Sequence, residues 1–331
     1  MVKYLYDLSR LMPGDIILMR IPGDEISERV MAATQSEFSH AMLYVGDSSY
    51  IEASKRVVAR NPARLLFDSK DDTCVLRIKN EYYNIDTIEN AIAYVRKVVG
   101  NPYAYADALR MEVGRTDKYS EDMQICTRLV TKAFAKSGIN LVENIEMCTP
   151  RQLQESEYVD VHRDYLKIAS DFDLRFAASY DVTDDMINAI FKLFDSLQPF
   201  GNGKIRTMER LIKHVIEHQE DDRAIAKLLK ESGYLDVLKI EEDKNRYNYD
   251  KEEFIKYYGE NAYEAAICSL ETNWRGEYRF SQECNSLIKE YFQCGIGSHT
   301  LIQLIALDKQ IIEQHRHRER VCMAVMNDPR T

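Results

Sequence analysis

The sequence has no apolar run approaching the ~18 residues or more that a membrane-spanning helix needs. Its first residues, MVKYLYDLSRLMPGD, also lack the uninterrupted apolar core of a secretory signal. A cytoplasmic protein without a membrane span is expected, and an effector exported without a cleaved signal would leave the same trace. Basic charge is short as well. Lys and Arg number 44 against 54 Asp and Glu, for a formal charge of -10. That balance argues against a chain whose task is neutralising phosphates, and so against nucleic acid as a partner. The seven cysteines, at 74, 126, 148, 268, 284, 294 and 322, are odd in number and irregularly spaced, which suits reduced thiols better than a disulfide framework. No internal repeat, low-complexity tract or recognised metal spacing stands out, so neither a metal nor another cofactor is expected.

What is present is enough apolar material for two domains: 331 residues, 45% of them hydrophobic. Residues 14–79 read as strands joined by turns. Asp15 to Arg20 follows the turn pair Pro13-Gly14. Ala41 to Val45 and Tyr50 to Ala53 flank the turn cluster Gly46-Asp-Ser-Ser49, and Thr73 to Ile78 adds another antiparallel strand. Glu25 to Ala33 has helical composition. Ile85 to Val99 has a 3.6-residue apolar period, with Asp86-Thr87 available as cap and Gly100-Asn-Pro102 as stop. A further helix starts at about Cys126, with Leu129, Val130, Ala133 and Phe134 on one face and Gly138 at the expected left-handed end. That face turns the Cys126 thiol toward the sheet. From about residue 165 the texture changes to long charged helical segments, at 184–197, 205–219, 221–232, 251–272, 281–293 and 299–326. The expected organisation is a domain of mixed strands and helices over 1–164 and a mostly helical domain of unassigned role over 165–331.

Thiol catalysis needs a thiolate, a base, a group that orients the base, and donors aimed at the developing oxyanion. A cysteine at a helix N-terminus faces free N–H groups and the positive end of the helix dipole, and Cys126 fits. His40 opens a strand, and Glu52 lies in the partner strand. A simple loop centred between Asp47 and Ser48 pairs Glu52 with Leu43, on the wrong face for His40. A bulge that moves the centre to Asp47 pairs Glu52 with Met42 and makes it a diagonal neighbour of His40. Spacing alone leaves both registers open.

Five motifs, Pro13-Gly-Asp-Ile-Ile-Leu18, Ser39-His-Ala-Met-Leu-Tyr-Val-Gly46, Tyr50-Ile-Glu-Ala53, Gly100-Asn-Pro-Tyr103 and Ile125-Cys-Thr-Arg-Leu-Val130, stand in this order, followed by Thr149-Pro-Arg-Gln-Leu153. Their order and spacing resemble the circularly permuted NlpC/P60 proteins, the YaeF/YiiX-type papain-like amidases related to lecithin:retinol acyltransferase-like proteins. The resemblance covers roughly residues 10–155. It implies an α+β fold: a permuted papain-like domain with a small antiparallel sheet packed on the cysteine helix, followed here by a mostly helical C-terminal domain. It also implies Cys126 as nucleophile, His40 as base and Glu52 in the third position. Tyr103 matches a family tyrosine that lines the substrate site or helps hold the oxyanion.

The function so implied is a cysteine hydrolase or acyltransferase working through a thioester, on a peptide amide of cell-wall type or on a lipid acyl group. Two rivals stand beside it: a catalytically silent binding module, and an antibacterial toxin or effector using this domain. In either, the helical C-terminal part would serve a protein partner. Gly201-Asn-Gly-Lys204 lacks the spacing of a phosphate loop and reads as a turn. His214-Val-Ile-Glu-His218 misplaces the glutamate of a zinc-protease helix and reads as a solvated helix, as does the basic stretch from His315 to Arg320.

Overall fold

The apolar runs pair as strands, and both faces of the sheet they build are covered. The computed structural model describes residues 2–112, 120, 123–293 and 297–331; Cys294 lies outside the described residues. In chain order the strands are β1 (Tyr4–Tyr6), β2 (Ile16–Met19), β3 (His40–Gly46), β4 (Ser49–Ala53), β5 (Val57–Arg60), β6 (Thr73–Ile78), β7 (Val159–His162) and β8 (Leu166–Ile168). Six of them form an antiparallel sheet in the order β5-β4-β3-β2-β6-β7, and β1 pairs with β8 separately. Ile16, Leu18, Ala41, Leu43 and Leu76 lie in one core cluster. Ile17, Met42, Tyr44, Tyr50 and Val75 lie in a second, with Tyr6, Phe67 and Tyr165. Because both faces of the sheet are buried at its centre, β2 and β3 read as nearly continuous apolar runs, whereas the edge strand β7 alternates and is largely exposed.

The helices of this part are α1 (Glu25–Thr34), α2 (Ile85–Lys97), α3 (Tyr105–Glu112), α4 (Cys126–Lys136), α5 (Pro150–Gln154) and α6 (Asp171–Ala178). The cap of α2 is Asn84, whose side chain accepts from Asp86 N–H, in place of the expected Asp86-Thr87. Helix α2 buries Ile88, Ala91, Ile92 and Val95 in the first cluster, and α4 buries Leu129, Val130, Ala133 and Phe134 there. Each of the larger side chains among these contributes about 1.5–3 kcal/mol on leaving water, the alanines less. At the end of α4, Gly138 has φ +101° and donates to Ala135 O (3.2 Å), while Ile139 donates to Phe134 O (2.9 Å). These two bonds close the helix as a Schellman motif, so the predicted glycine end is the one observed.

Contacts divide the chain into compact units at residues 1–179 and 180–331. The first unit runs past the join expected at 164 for two reasons. Strand β8 pairs with β1, and Arg64 Nη1 donates to the Ser179 carbonyl at 2.8 Å and the Phe176 carbonyl at 3.1 Å.

The second unit is helical: α7 (Val182–Ser196), α8 (Met208–Glu217), α9 (Asp222–Glu231), α10 (Val237–Lys244), α11 (Lys251–Tyr258), α12 (Ala262–Gln293) and α13 (His299–Met326). The expected helix over 251–272 is broken at Gly259 (φ 56°, ψ -130°), and the chain then runs unbroken from 262 to 293. Helix α10, with its polar Glu241-Glu-Asp-Lys244 end, lacks the apolar period that would have announced it. Of the two stretches read as solvated, the one at 214–218 carries a buried histidine, and the basic one is solvent-exposed at Arg316 and Arg320 as expected while forming surface ion pairs. His214 is buried, with Nε2 2.8 Å from Asp221 Oδ2. Arg316 bonds Glu277 (2.7 Å), Arg320 bonds Glu313 (2.9 Å), and Arg318 lies over the Tyr249 ring at 5.1 Å. Carboxylates and an aromatic face therefore occupy that basic stretch. Gly201-Asn-Gly203 is a turn as expected, with all three residues at positive φ. Among the described residues no helix is long and apolar enough to cross a membrane.

Candidate active site

The β3–β4 connection decides the geometry of the site. Tyr44 pairs with Tyr50 but Gly46 pairs with Ser49, so Val45 is an extra residue on β3. Asp47 and Ser48 both have positive φ (52° and 50°), as a two-residue type I′ turn requires, and Gly46 sits at +81°. This is the bulged register. It pairs Glu52 with Met42 and brings Glu52 Oε2 to 2.7 Å from His40 Nε2. The other carboxylate oxygen, Oε1, accepts from Arg60 Nε at 3.1 Å. Arg60 was not foreseen, because β5 is short and follows the polar Ser54-Lys-Arg56.

Cys126 is the first residue of α4, after Ile125 in extended conformation (φ -109°, ψ 161°) with no side-chain cap. Nothing from a capping side chain competes for the N–H groups of the first turn. The residue is 6% exposed, so the thiol is turned inward as its helical face required. Its sulfur hydrogen-bonds the His40 side chain and the backbone of Ala41 and Thr127. Since His40 Nε2 is directed at Glu52, Nδ1 is the ring nitrogen left for the sulfur. Ser39, just before His40, is held by Ser27 Oγ (2.7 Å), and its N–H donates to Met19 O (3.0 Å).

Burial opposes ionisation of the Cys126 thiol, but the positive His40, its hydrogen bond and the two backbone bonds prevail and lower the thiol's pKa below the ordinary value. Burial likewise works against a charged His40. The negative sulfur and the bonds to Cys126 and Glu52 outweigh it and push the imidazole up to about 10. Glu52 is pulled down against its burial by His40 and Arg60. Together these groups set a thiol of lowered pKa, an imidazole of raised pKa and a carboxylate of lowered pKa in a row. The buried thiols of Cys74, Cys148, Cys284 and Cys322 all move the other way, raised by loss of water, with Cys74 at about 12. Cys126 alone among these five is poised to react.

A second unforeseen residue holds the start of α4 in place. Arg128 is fully buried, which is costly for a charge unless it is completely partnered. Its Nη1 is 3.0 Å from Asp107 Oδ2 and 2.9 Å from Met123 O, and Nε donates to Glu146 O at 2.8 Å. Thr127 Oγ1 donates to Cys148 O (2.6 Å) and Thr131 Oγ1 to Ile145 O (2.6 Å), which secures the same two turns. Tyr103 lies on a neighbouring segment that bridges in parallel to Gln124, two residues before Cys126, and its ring packs against Tyr105 with centroids 4.9 Å apart. The structure thus brings Cys126, His40 and Glu52 together, and Tyr103 packs against the core cluster that includes Cys126. Among the described residues no group of three or more His, Cys, Asp or Glu side chains is placed to hold a metal ion.

Residues 10–161 match the family model of permuted papain-like amidase enzymes of the YaeF/YiiX type, the C92 family. The resemblance read from the ordered motifs thus agrees with the family model over this segment, which spans just under half of the chain and is similar to permuted papain-like amidases. Among solved structures, the metalloprotein yiiX of Escherichia coli O157:H7 is similar at 16% identity, with 45% of this chain and 95% of that one covered and a TM-score of 0.35. No curated protein matches the chain.

Proposed function

We propose that the chain hydrolyses an amide bond through a thioester on Cys126, with His40 as proton carrier and Glu52 as the group that orients it. The observation that carries this reading is the Cys126–His40–Glu52 row at the start of α4, with a 2.7 Å bond between imidazole and carboxylate. In the first half-reaction the thiolate adds to the substrate carbonyl carbon. Backbone N–H groups of the first turn of α4 face the oxyanion, and His40 gives its proton to the departing amine. Neutral His40 then takes a proton from water, which attacks the thioester and releases the acid and the free thiolate. The family favours an amide substrate, and the same thioester would also serve transfer to another acceptor or cleavage of a lipid acyl group. Cys126→Ala should abolish turnover of peptide amides by at least 10³-fold, on the order of losses seen for catalytic nucleophiles, while leaving the thermal transition within a few degrees. Retained turnover in that variant would defeat the proposal.

A further inference from the structure

Strand β4 is flanked by β3 and β5, and Glu52 sits between them. Its direct partner on β3 is Met42 and on β5 is Val58. His40 and Arg60 each lie two residues from those partners, on opposite diagonals, because Arg60 pairs with Tyr50 while His40 lies toward the other end of β4. Diagonal neighbours on one face are within reach of long side chains. The carboxylate is consequently gripped from both sides, with Oε2 on His40 Nε2 at 2.7 Å and Oε1 on Arg60 Nε at 3.1 Å. The Glu52 side chain is 12% exposed and that of Arg60 34%.

We infer that Arg60 is a positioning residue of this site, fixing the Glu52 carboxylate and keeping it ionised so that it can hold His40 as the imidazolium partner of Cys126. The inference rests on the proposed Cys126–His40–Glu52 reading and extends it to a fourth side chain. The chemistry is asymmetric. A buried carboxylate facing an imidazolium alone is in a position to accept the imidazolium's proton, and the pair would then be neutral and of little use to a thiolate. A guanidinium on the second oxygen opposes that transfer and fixes the plane of the carboxylate. The charged groups acting on Glu52 are His40 from β3 and Arg60 from β5, with Cys126 on α4 acting through His40. Burial works to raise the Glu52 pKa and these partners lower it. Without Arg60, Glu52 takes up its proton at higher pH, and the thiolate–imidazolium pair collapses at higher pH with it.

The test is the rate of Cys126 alkylation by iodoacetamide against pH, followed by mass spectrometry of the Cys126 peptide. It needs no substrate. In the unaltered protein the reactive plateau should extend well below the range of an ordinary thiol. Arg60→Met, which keeps the apolar stem, and Arg60→Gln should each move the acid limb up by about one pH unit, the low end for a partly exposed opposite charge. Arg60→Lys should bring it most of the way back. In a Glu52→Gln background the Arg60→Met change should move the limb no further. An acid limb left at its original pH in whichever of the Met and Gln variants folds would overturn the inference. So would a shift of equal size in the Glu52→Gln background, or no recovery with Lys. If Cys126 of the unaltered protein alkylates like an ordinary thiol, the underlying reading of the site fails instead, a result distinct from those three.

Discussion

Glu52→Gln tests the row of charges at its middle. Both carboxylate oxygens are engaged, by His40 Nε2 at 2.7 Å and Arg60 Nε at 3.1 Å, and the side chain is 12% exposed. An amide has the same shape but one acceptor and two donors. If its oxygen turns to His40, its NH2 faces the Arg60 N–H, and if it turns to Arg60, its NH2 faces the imidazolium. Either way one charge-assisted bond is exchanged for a donor–donor contact. Such bonds contribute about 1.5–3 kcal/mol, and at ~1.4 kcal/mol per tenfold the imidazolium form should be disfavoured by roughly 10- to 150-fold. The assay is the second-order rate of Cys126 alkylation at pH 6–7, read by peptide mass, with thermal denaturation as the control for folding. The stability cost should be small, because Arg60 is a third exposed and water can take the lost place of the carboxylate. The variant should also lose a pH dependence. The depressed Glu52 pKa contributes stability that is present above the unfolded value of 4.5 and lost as pH falls through the lower folded value. A Glu52→Gln protein that alkylates within twofold of the original at pH 6–7 would refute the reasoning.

In the second unit, Asp308 on α13 is 9% exposed, its Oδ2 has no hydrogen-bond partner, and burial together with the Glu283 charge raises its pKa to about 7. A raised carboxyl pKa means stability present below the unfolded value of 3.8 and lost as pH climbs to about 7. Asp308→Asn should therefore stabilise the protein at pH 8, by on the order of 2–4 kcal/mol, and by about 2 kcal/mol less at pH 5. Urea denaturation at the two pH values reads this directly, and equal gains at both would count against a buried charge at this position.

Legibility varied with how local the cause was. Cys126 could be read as a helix start because the apolar residues of α4 and Gly138 lie within one short segment, even though Ile125 offers no capping side chain. The His40–Glu52 contact was not readable with certainty. It depends on one extra residue, Val45, and on positive φ at three successive positions, and Gly46-Asp-Ser-Ser49 permits the simple loop as well as the bulged one. Arg60 escaped notice because its strand is identified only by pairing with β4. Arg128 escaped because its partners, Asp107, Met123 and Glu146, come from three separate stretches of chain. The same holds for β7 and β8, short strands that exist through β6 and β1. In the helical unit the pattern marked most segments, but it missed the break at Gly259. The apolar period runs on through a glycine, the poorest helix former after proline, and its positive φ ends α11.

The measurement that bears most directly on the central claim is the intact mass of the protein mixed with a peptidoglycan digest or, separately, with phospholipid vesicles and quenched in acid within seconds. Acyl transfer through Cys126 predicts an added acyl mass that maps to the Cys126 peptide, is released by hydroxylamine as a thioester is, and is absent from Cys126→Ala. Appearance with the digest alone would mark an amide substrate, and with the vesicles alone a lipid one. Product formation from either substrate with no adduct on Cys126, or with turnover unchanged in Cys126→Ala, would contradict the account.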